Sequence, residues 1–167
     1  VTTVVRRPAP RRVRERTEPY RATLTGPVYC DTSALLKLYL PEPGSGEFNQ
    51  LVESRDDVVV SDLVVTEAVS ALSRRLRQGA LTRDVASRVH AAIIEGLDSS
   101  IYRRVELTRE VHRRAEQMLL TLTSVPLRAA EALHLALATA ARAASLASFD
   151  ARMTTAARAV GLAVYPA

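Results

Sequence analysis

The chain has one cysteine, no tryptophan, two phenylalanines and five tyrosines in 167 residues. A lone Cys30 excludes an internal disulfide framework and any zinc site built from several thiolates. So few aromatic rings exclude a broad platform on which nucleic-acid bases stack. The six glycines are scattered. None forms a phosphate-cradling loop, and Gly44-Ser45-Gly46, following Pro43, reads as a turn. No apolar run approaches the roughly 18 residues of a membrane span. The Arg- and Pro-rich start has no apolar core of the kind secretory signals carry. The cytoplasm is therefore the expected compartment, with no membrane partner.

A net charge of +5 is present but unevenly spread. Residues 1–27 hold seven arginines against Glu15 and Glu18, which leaves sixteen basic and sixteen acidic side chains for the rest. The same segment carries Pro8, Pro10, Pro19 and Pro27 and shows no apolar period. Such a composition buries too little surface to offset its chain entropy, so residues 1–27 read as a disordered extension. Its arginines suit an arm for RNA phosphates or a solvated tail. The Val at position 1 also reads as a literally translated GTG start, with Val28 a second such start. The body, residues 28–167, is neutral, so net charge does not mark it as a nucleic-acid binder.

Apolar runs at 28–30, 58–60, 146–149 and 162–165, and the mixed stretch 101–107, read as strands. Between them, residues 33–40, 45–54, 62–78, 82–97, 108–122, 127–142 and 150–160 read as helices. Pro41 and Pro43 stop the first, Asp62, Thr82 and Thr108 cap three others, and Gly96 frays the fourth. Strands separated by helices predict one α/β domain, a mostly parallel sheet covered by helices.

Most acids of the body lie among charged neighbours, and four do not. Asp31 sits between Val28-Tyr29-Cys30 and an apolar helix. Glu67 is the only ionisable group from Leu63 to Leu72. Glu131 and His134 are the only polar side chains from Ala129 to Ala138. Asp150 closes the run Leu146-Ala147-Ser148-Phe149. Taken singly, each has a plain reading: Asp31 and Asp150 as helix caps, Glu67 as a first-turn acid favoured by the dipole, Glu131 as a partner of Arg128. Jointly, two follow strands, where open α/β sheets form sites, and two open helices that can point at the same rim. Carboxylates brought together raise one another's pKa unless a cation compensates. An oxygen-only set suits Mg²⁺ or Mn²⁺ and the chemistry of phosphodiester hydrolysis.

The stretches "VYCDTSALLKLYLPE", "VVTEAVSAL", "LRAAEALHLALA" and "LASFD" resemble, in order and spacing, those of PIN-domain ribonucleases. They are most similar to the VapC toxins of toxin–antitoxin pairs. The resemblance spans about residues 28–167. It implies a PIN-like fold and a Mg²⁺-dependent endoribonuclease acting on RNA. It also implies a cognate antitoxin lying over the pocket, and a homodimer. It places Asp31, Glu67, Glu131 and Asp150 as catalytic and metal-binding residues, with Ser148 supporting the last acid and Thr32 and Ser33 ordering the first turn. The third acid in the family is normally Asp, so Glu131 is a departure with one extra methylene. A non-catalytic PIN-like domain that binds RNA or a partner is the alternative this departure leaves open.

Other features carry less. Glu131-x-x-His134 has a di-iron spacing, but such sites need a second copy, and His134 reads as a core histidine. An aspartyl-nucleophile phosphatase would carry a second Asp where Ser33 stands. Cys30 reads as an inert buried thiol. Arg74, Arg75 and Arg77 read as a solvated helix end, where cations suit the dipole.

Overall fold

The computed structural model describes residues 24–166. Of the expected extension, residues 1–23 lie outside the described residues. Residues 24–27 are described and are tied to the body. Thr25 N donates to Ser145 Oγ at 3.0 Å, and Arg55 donates to the carbonyls of Leu24 and Gly26. Gly26 has φ +55°, and a Cβ there would stand 2.7 Å from that of Ala144, so glycine is required on both counts. Residues 24–27, placed in the extension by composition, thus make specific contacts with the body.

Five short strands form one all-parallel sheet in the order β3-β2-β1-β4-β5. They are β1 (Val28–Cys30), β2 (Val58–Ser61), β3 (Arg103–Val105), β4 (Ser145–Ala147) and β5 (Ala163–Tyr165). The helices are α1 (Thr32–Tyr39), α2 (Ser45–Val52), α3 (Asp62–Arg77), α4 (Arg83–Asp98), α5 (Arg109–Thr121), α6 (Ala129–Ala140) and α7 (Ala151–Ala159). The α/β architecture expected from the alternating runs is present, with every strand parallel.

The central strand β1 is buried throughout, as strands covered on both faces must be. Its side chains alternate: Val28 and Cys30 pack with Phe48, Val52, Val58, Ala147 and Tyr165, while Tyr29 joins the larger core with Leu35, Val64, Leu135 and Leu146. From β1 the chain builds outward through β2 and β3, then crosses to the other side for β4 and β5. The strand order therefore reverses between β1 and β4, and a crevice opens there at the carboxyl edge.

Several local expectations need correction. Ser61, not Asp62, caps α3: its Oγ accepts from Val64 N, while the Asp62 carboxylate pairs with Arg104 on β3 at 2.7 Å. Gly96 does not fray α4. A Cβ there would stand 2.6 Å from the Tyr102 ring, so the glycine admits that ring against the helix. β3 is shorter than the expected 101–107 because it is an edge strand paired only with β2, and Ile101 before it is 59% exposed.

Candidate active site

Asp31 follows β1 and Asp150 follows β4, so the two acids stand on the two lips of the crevice. Each is also a helix N-cap. Asp31 Oδ1 accepts from Ala34 N at 2.9 Å, and Asp150 Oδ1 accepts from the amides of Arg152 and Met153. The capping reading and the site reading thus coincide, because a cap fixes the backbone and can leave the second oxygen to the cleft. Ser33 staples the lips together: it donates to Asp31 Oδ1 and accepts from Phe149 N, both at 2.7 Å. Ser148 accepts from Asp150 N at 3.0 Å. Phe149 is held from beneath by edge contacts with Phe48 and Tyr165, and Lys37 Nζ lies 4.5 Å from its ring centroid.

Glu67 comes from the second turn of α3, not the first turn that the dipole reading requires. The dipole is therefore not what holds it. Its Oε2 accepts from Thr32 Oγ1 at 2.5 Å and from His134 Nε2 at 2.9 Å. Thr32 thus serves the site across the cleft rather than its own turn. Asp31, Glu67, Glu131 and Asp150 all line one cleft of about 330 Å³, together with Arg74, Arg75, Arg128 and His134.

Glu131 occupies the third position of α6 and turns back on it. Oε2 accepts from the backbone N of Arg128 at 2.8 Å, and Oε1 accepts from Arg152 Nε at 3.2 Å. The expected Arg128 partnership exists through the main chain only; the guanidinium partner is Arg152. His134 is buried, as expected of a core histidine, yet it also touches an acid of the site. Tyr29, His134 and Arg152 were not singled out as site residues. Their partners lie 105, 67 and 21 positions away, so no local pattern could reveal them.

The electrostatics separate the acids. Burial pushes the Asp31 carboxyl up, against the pull of hydrogen bonds from Ala34 N and Ser33. The His134 hydrogen bond holds Glu67 below the usual carboxylate range, opposed by partial burial and aided by Thr32. Of the arginines on the cleft, Arg75 is paired with Glu42 at 2.5 Å. Arg74 and Arg128 have no carboxylate partner among the described residues. Cys30 is buried with its thiol pushed far up, and is inert.

In donor chemistry the residues fit a hard divalent cation: carboxylate oxygens only, with Glu67 Oε1 and Asp150 Oδ2 taking no hydrogen bond among the described residues. As the side chains stand, no three acids, histidines or cysteines among the described residues close on a single point. Of the four acids, Asp31, Glu67 and Asp150 have the donor type for a cation without converging on one point, and both Glu131 oxygens are engaged.

A family model described as PIN domain matches residues 28–159. No curated protein matches the chain in sequence. Among solved structures, VapC20 of Mycobacterium tuberculosis, a Sarcin-Ricin loop cleaving toxin, is 21% identical with a TM-score of 0.63, covering 81% of this chain and 95% of its own. FitAcB from Neisseria gonorrhoeae is 19% identical with a TM-score of 0.58, covering 83% and 96%. FitAB bound to an IR36 DNA fragment is 17% identical with a TM-score of 0.62, covering 83% and 93%. At these identities the likeness is one of fold. The match over most of the described body, with the fold it accompanies, establishes that the chain belongs to the PIN domain family.

Proposed function

We propose that the protein is a Mg²⁺-dependent endoribonuclease toxin of the VapC type, neutralised by a cognate antitoxin. The observation that carries this reading is that Asp31, Glu67 and Asp150 line one cleft by the sheet's reversal point, with Arg74 and Arg128, which have no carboxylate partner among the described residues. A buried carboxylate is costly unless something compensates it, and a divalent cation is the compensation an oxygen-only set selects. Asp31, Glu67 and Asp150 would hold Mg²⁺, or Mn²⁺ in its place. When bound, such an ion supplies Lewis-acid polarisation of the phosphate and a more acidic water.

The chain's own residues do the remaining work. Ser33 and the two caps fix the lips. Thr32 and His134 fix Glu67. Arg74 and Arg128, on the same cleft, offer charge to RNA phosphates. Glu131 belongs to the proposed catalytic set as its fourth member, and would contribute an oxygen by giving up Arg152. Glu131→Gln is therefore expected to cost less cleavage than Asp31→Asn, for which ~100-fold or more is expected.

The fold shared with a Sarcin-Ricin loop cleaving toxin supports RNA as substrate, and the fold shared with DNA-bound FitAB supports a DNA-binding antitoxin as partner. Homodimerisation and a cytoplasmic location complete the reading. Among the described residues no helix is long and apolar enough to cross a membrane. The test is incubation of a defined RNA with the purified protein and Mg²⁺. Cleavage that EDTA and Asp31→Asn abolish is expected.

A second reading, a non-catalytic PIN-like domain that binds RNA or a partner, is favoured by the engagement of both Glu131 oxygens. It predicts RNA or partner binding without cleavage in the same assay.

A further inference from the structure

We propose that His134 is a positioning residue for Glu67: it holds the carboxylate by Oε2 through a one-way hydrogen-bond chain, so that Oε1 alone serves the cation. This rests on the metal-dependent reading above and names a residue that reading does not require.

The direction of the chain follows from what each group can do. An ionised carboxylate only accepts, so His134 Nε2 donates to Glu67 Oε2 at 2.9 Å. In the neutral ring Nδ1 then accepts, and Tyr29 Oη donates to it at 2.9 Å. Tyr29 Oη in turn receives the Ser61 hydroxyl proton at 2.8 Å, and Ser61 Oγ accepts the fixed N–H of Val64 at 3.2 Å. Each donor has one acceptor, and no buried side-chain polar atom among the described residues lacks a partner.

The chain therefore fixes the ring as its Nε2–H form and locks its plane between two partners. The rings of Tyr29 and His134 meet edge-on, with centroids 5.9 Å apart. His134 itself is 5% exposed, in a helix whose neighbours Leu135, Ala136 and Leu137 are fully buried. Thr32 donates to the same Oε2, so one oxygen of Glu67 is saturated and the other is not. Partners of this kind, standing behind a ligating group, set its orientation and typically account for 10–100-fold in metal affinity. Ser61 caps α3 and Glu67 rides on that helix, so the anchor and the positioned acid belong to one rigid element.

The experiment is calorimetric titration of the full chain with Mn²⁺, without RNA, in wild type, His134→Leu, His134→Gln and Tyr29→Phe, each first shown to be folded by its thermal transition. His134→Leu is expected to weaken Mn²⁺ binding by ~10–100-fold. His134→Gln, whose amide offers an N–H to Glu67 and a carbonyl to Tyr29, is expected to recover most of it. Tyr29→Phe keeps the ring and the fold, and is expected to show a smaller loss. Nitrogen NMR of the His134 ring is expected to show the Nε2–H form in wild type and a mixture in Tyr29→Phe. Equal Mn²⁺ affinity in wild type and folded His134→Leu overturns the proposal. So does a glutamine no better than leucine, or an Nδ1–H ring in wild type. Absence of Mn²⁺ binding by wild type itself overturns the metal-dependent reading, and this inference with it.

Discussion

Asp31 is held where an ionised group is least at home. It follows a fully buried strand, and burial pushes its carboxyl up despite hydrogen bonds from Ser33 and Ala34 N. Replacing it by Asn keeps an acceptor for Ala34 N and removes the buried charge. The metal-free Asp31→Asn protein is therefore expected to melt higher than wild type, by roughly 2–4 °C for each ~1 kcal/mol relieved. Added Mg²⁺ is expected to raise the wild-type transition and leave the variant unmoved. A lower transition in the metal-free variant would mean that the charge serves the cap more than any ligand. The same anomaly made Asp31, Glu67 and Asp150 legible in the sequence, since acids in apolar company demand an explanation. Glu131 was legible in place but not in fate. Whether its longer arm reaches the cleft or folds back depends on Arg152, which reaches it only once α7 packs beside α6. His134 was rightly read as buried, but nothing local in the sequence points to a carboxylate on another helix.

At the scale of elements, caps and stops were readable because they are chemistry between near neighbours. Thr82, Thr108 and Asp150 each accept amide protons at the helix starts assigned to them. Failures came where a distant partner decided: Asp62 is claimed by Arg104, and Gly96 by the Tyr102 ring. Beneath the Asp150 lip, Phe48 stacks on Tyr165 at 5.3 Å and meets Phe149 edge-on at 5.6 Å. Phe48→Ala removes a fully buried ring and is expected to cost ~3–5 kcal/mol in chemical denaturation. On the opposite rim, the end of α3 and the start of α6 bring Arg74 and Arg128 to the cleft. Sequence alone suggested only a solvated helix end for the first. If both meet phosphates, each neutralising substitution should lower the salt slope of single-stranded RNA binding by about 0.7, measured with the cleavage-deficient Asp31→Asn protein. Unchanged slopes would return both arginines to solvent.

For the whole molecule, composition gave the class and alternation gave the parallel sheet, while the strand order came only from the structure. That order matters, because the reversal between β1 and β4 is what sets Asp31 against Asp150. The net charge of +5 proved a poor guide to the body. The body's basic character is local, confined at the site to a few arginines around acids. Residues 24–27 are tied to that body, since Thr25 and Ser145 exchange hydrogen bonds. Deleting residues 1–27 is expected to lower thermal stability relative to deleting residues 1–23, because only the longer deletion breaks those bonds and removes the Leu24 and Gly26 carbonyls that Arg55 contacts. Equal transitions would show residues 24–27 to contribute nothing.

If the cleft at the sheet's reversal point hydrolyses RNA through its carboxylates, incubating the purified protein with total cellular RNA and Mg²⁺, wild type beside Asp31→Asn, and mapping the new ends will show it. Discrete ends made by wild type, and absent with Asp31→Asn or EDTA, are the predicted result. No new ends from folded wild-type protein, or the same ends from Asp31→Asn, would contradict it.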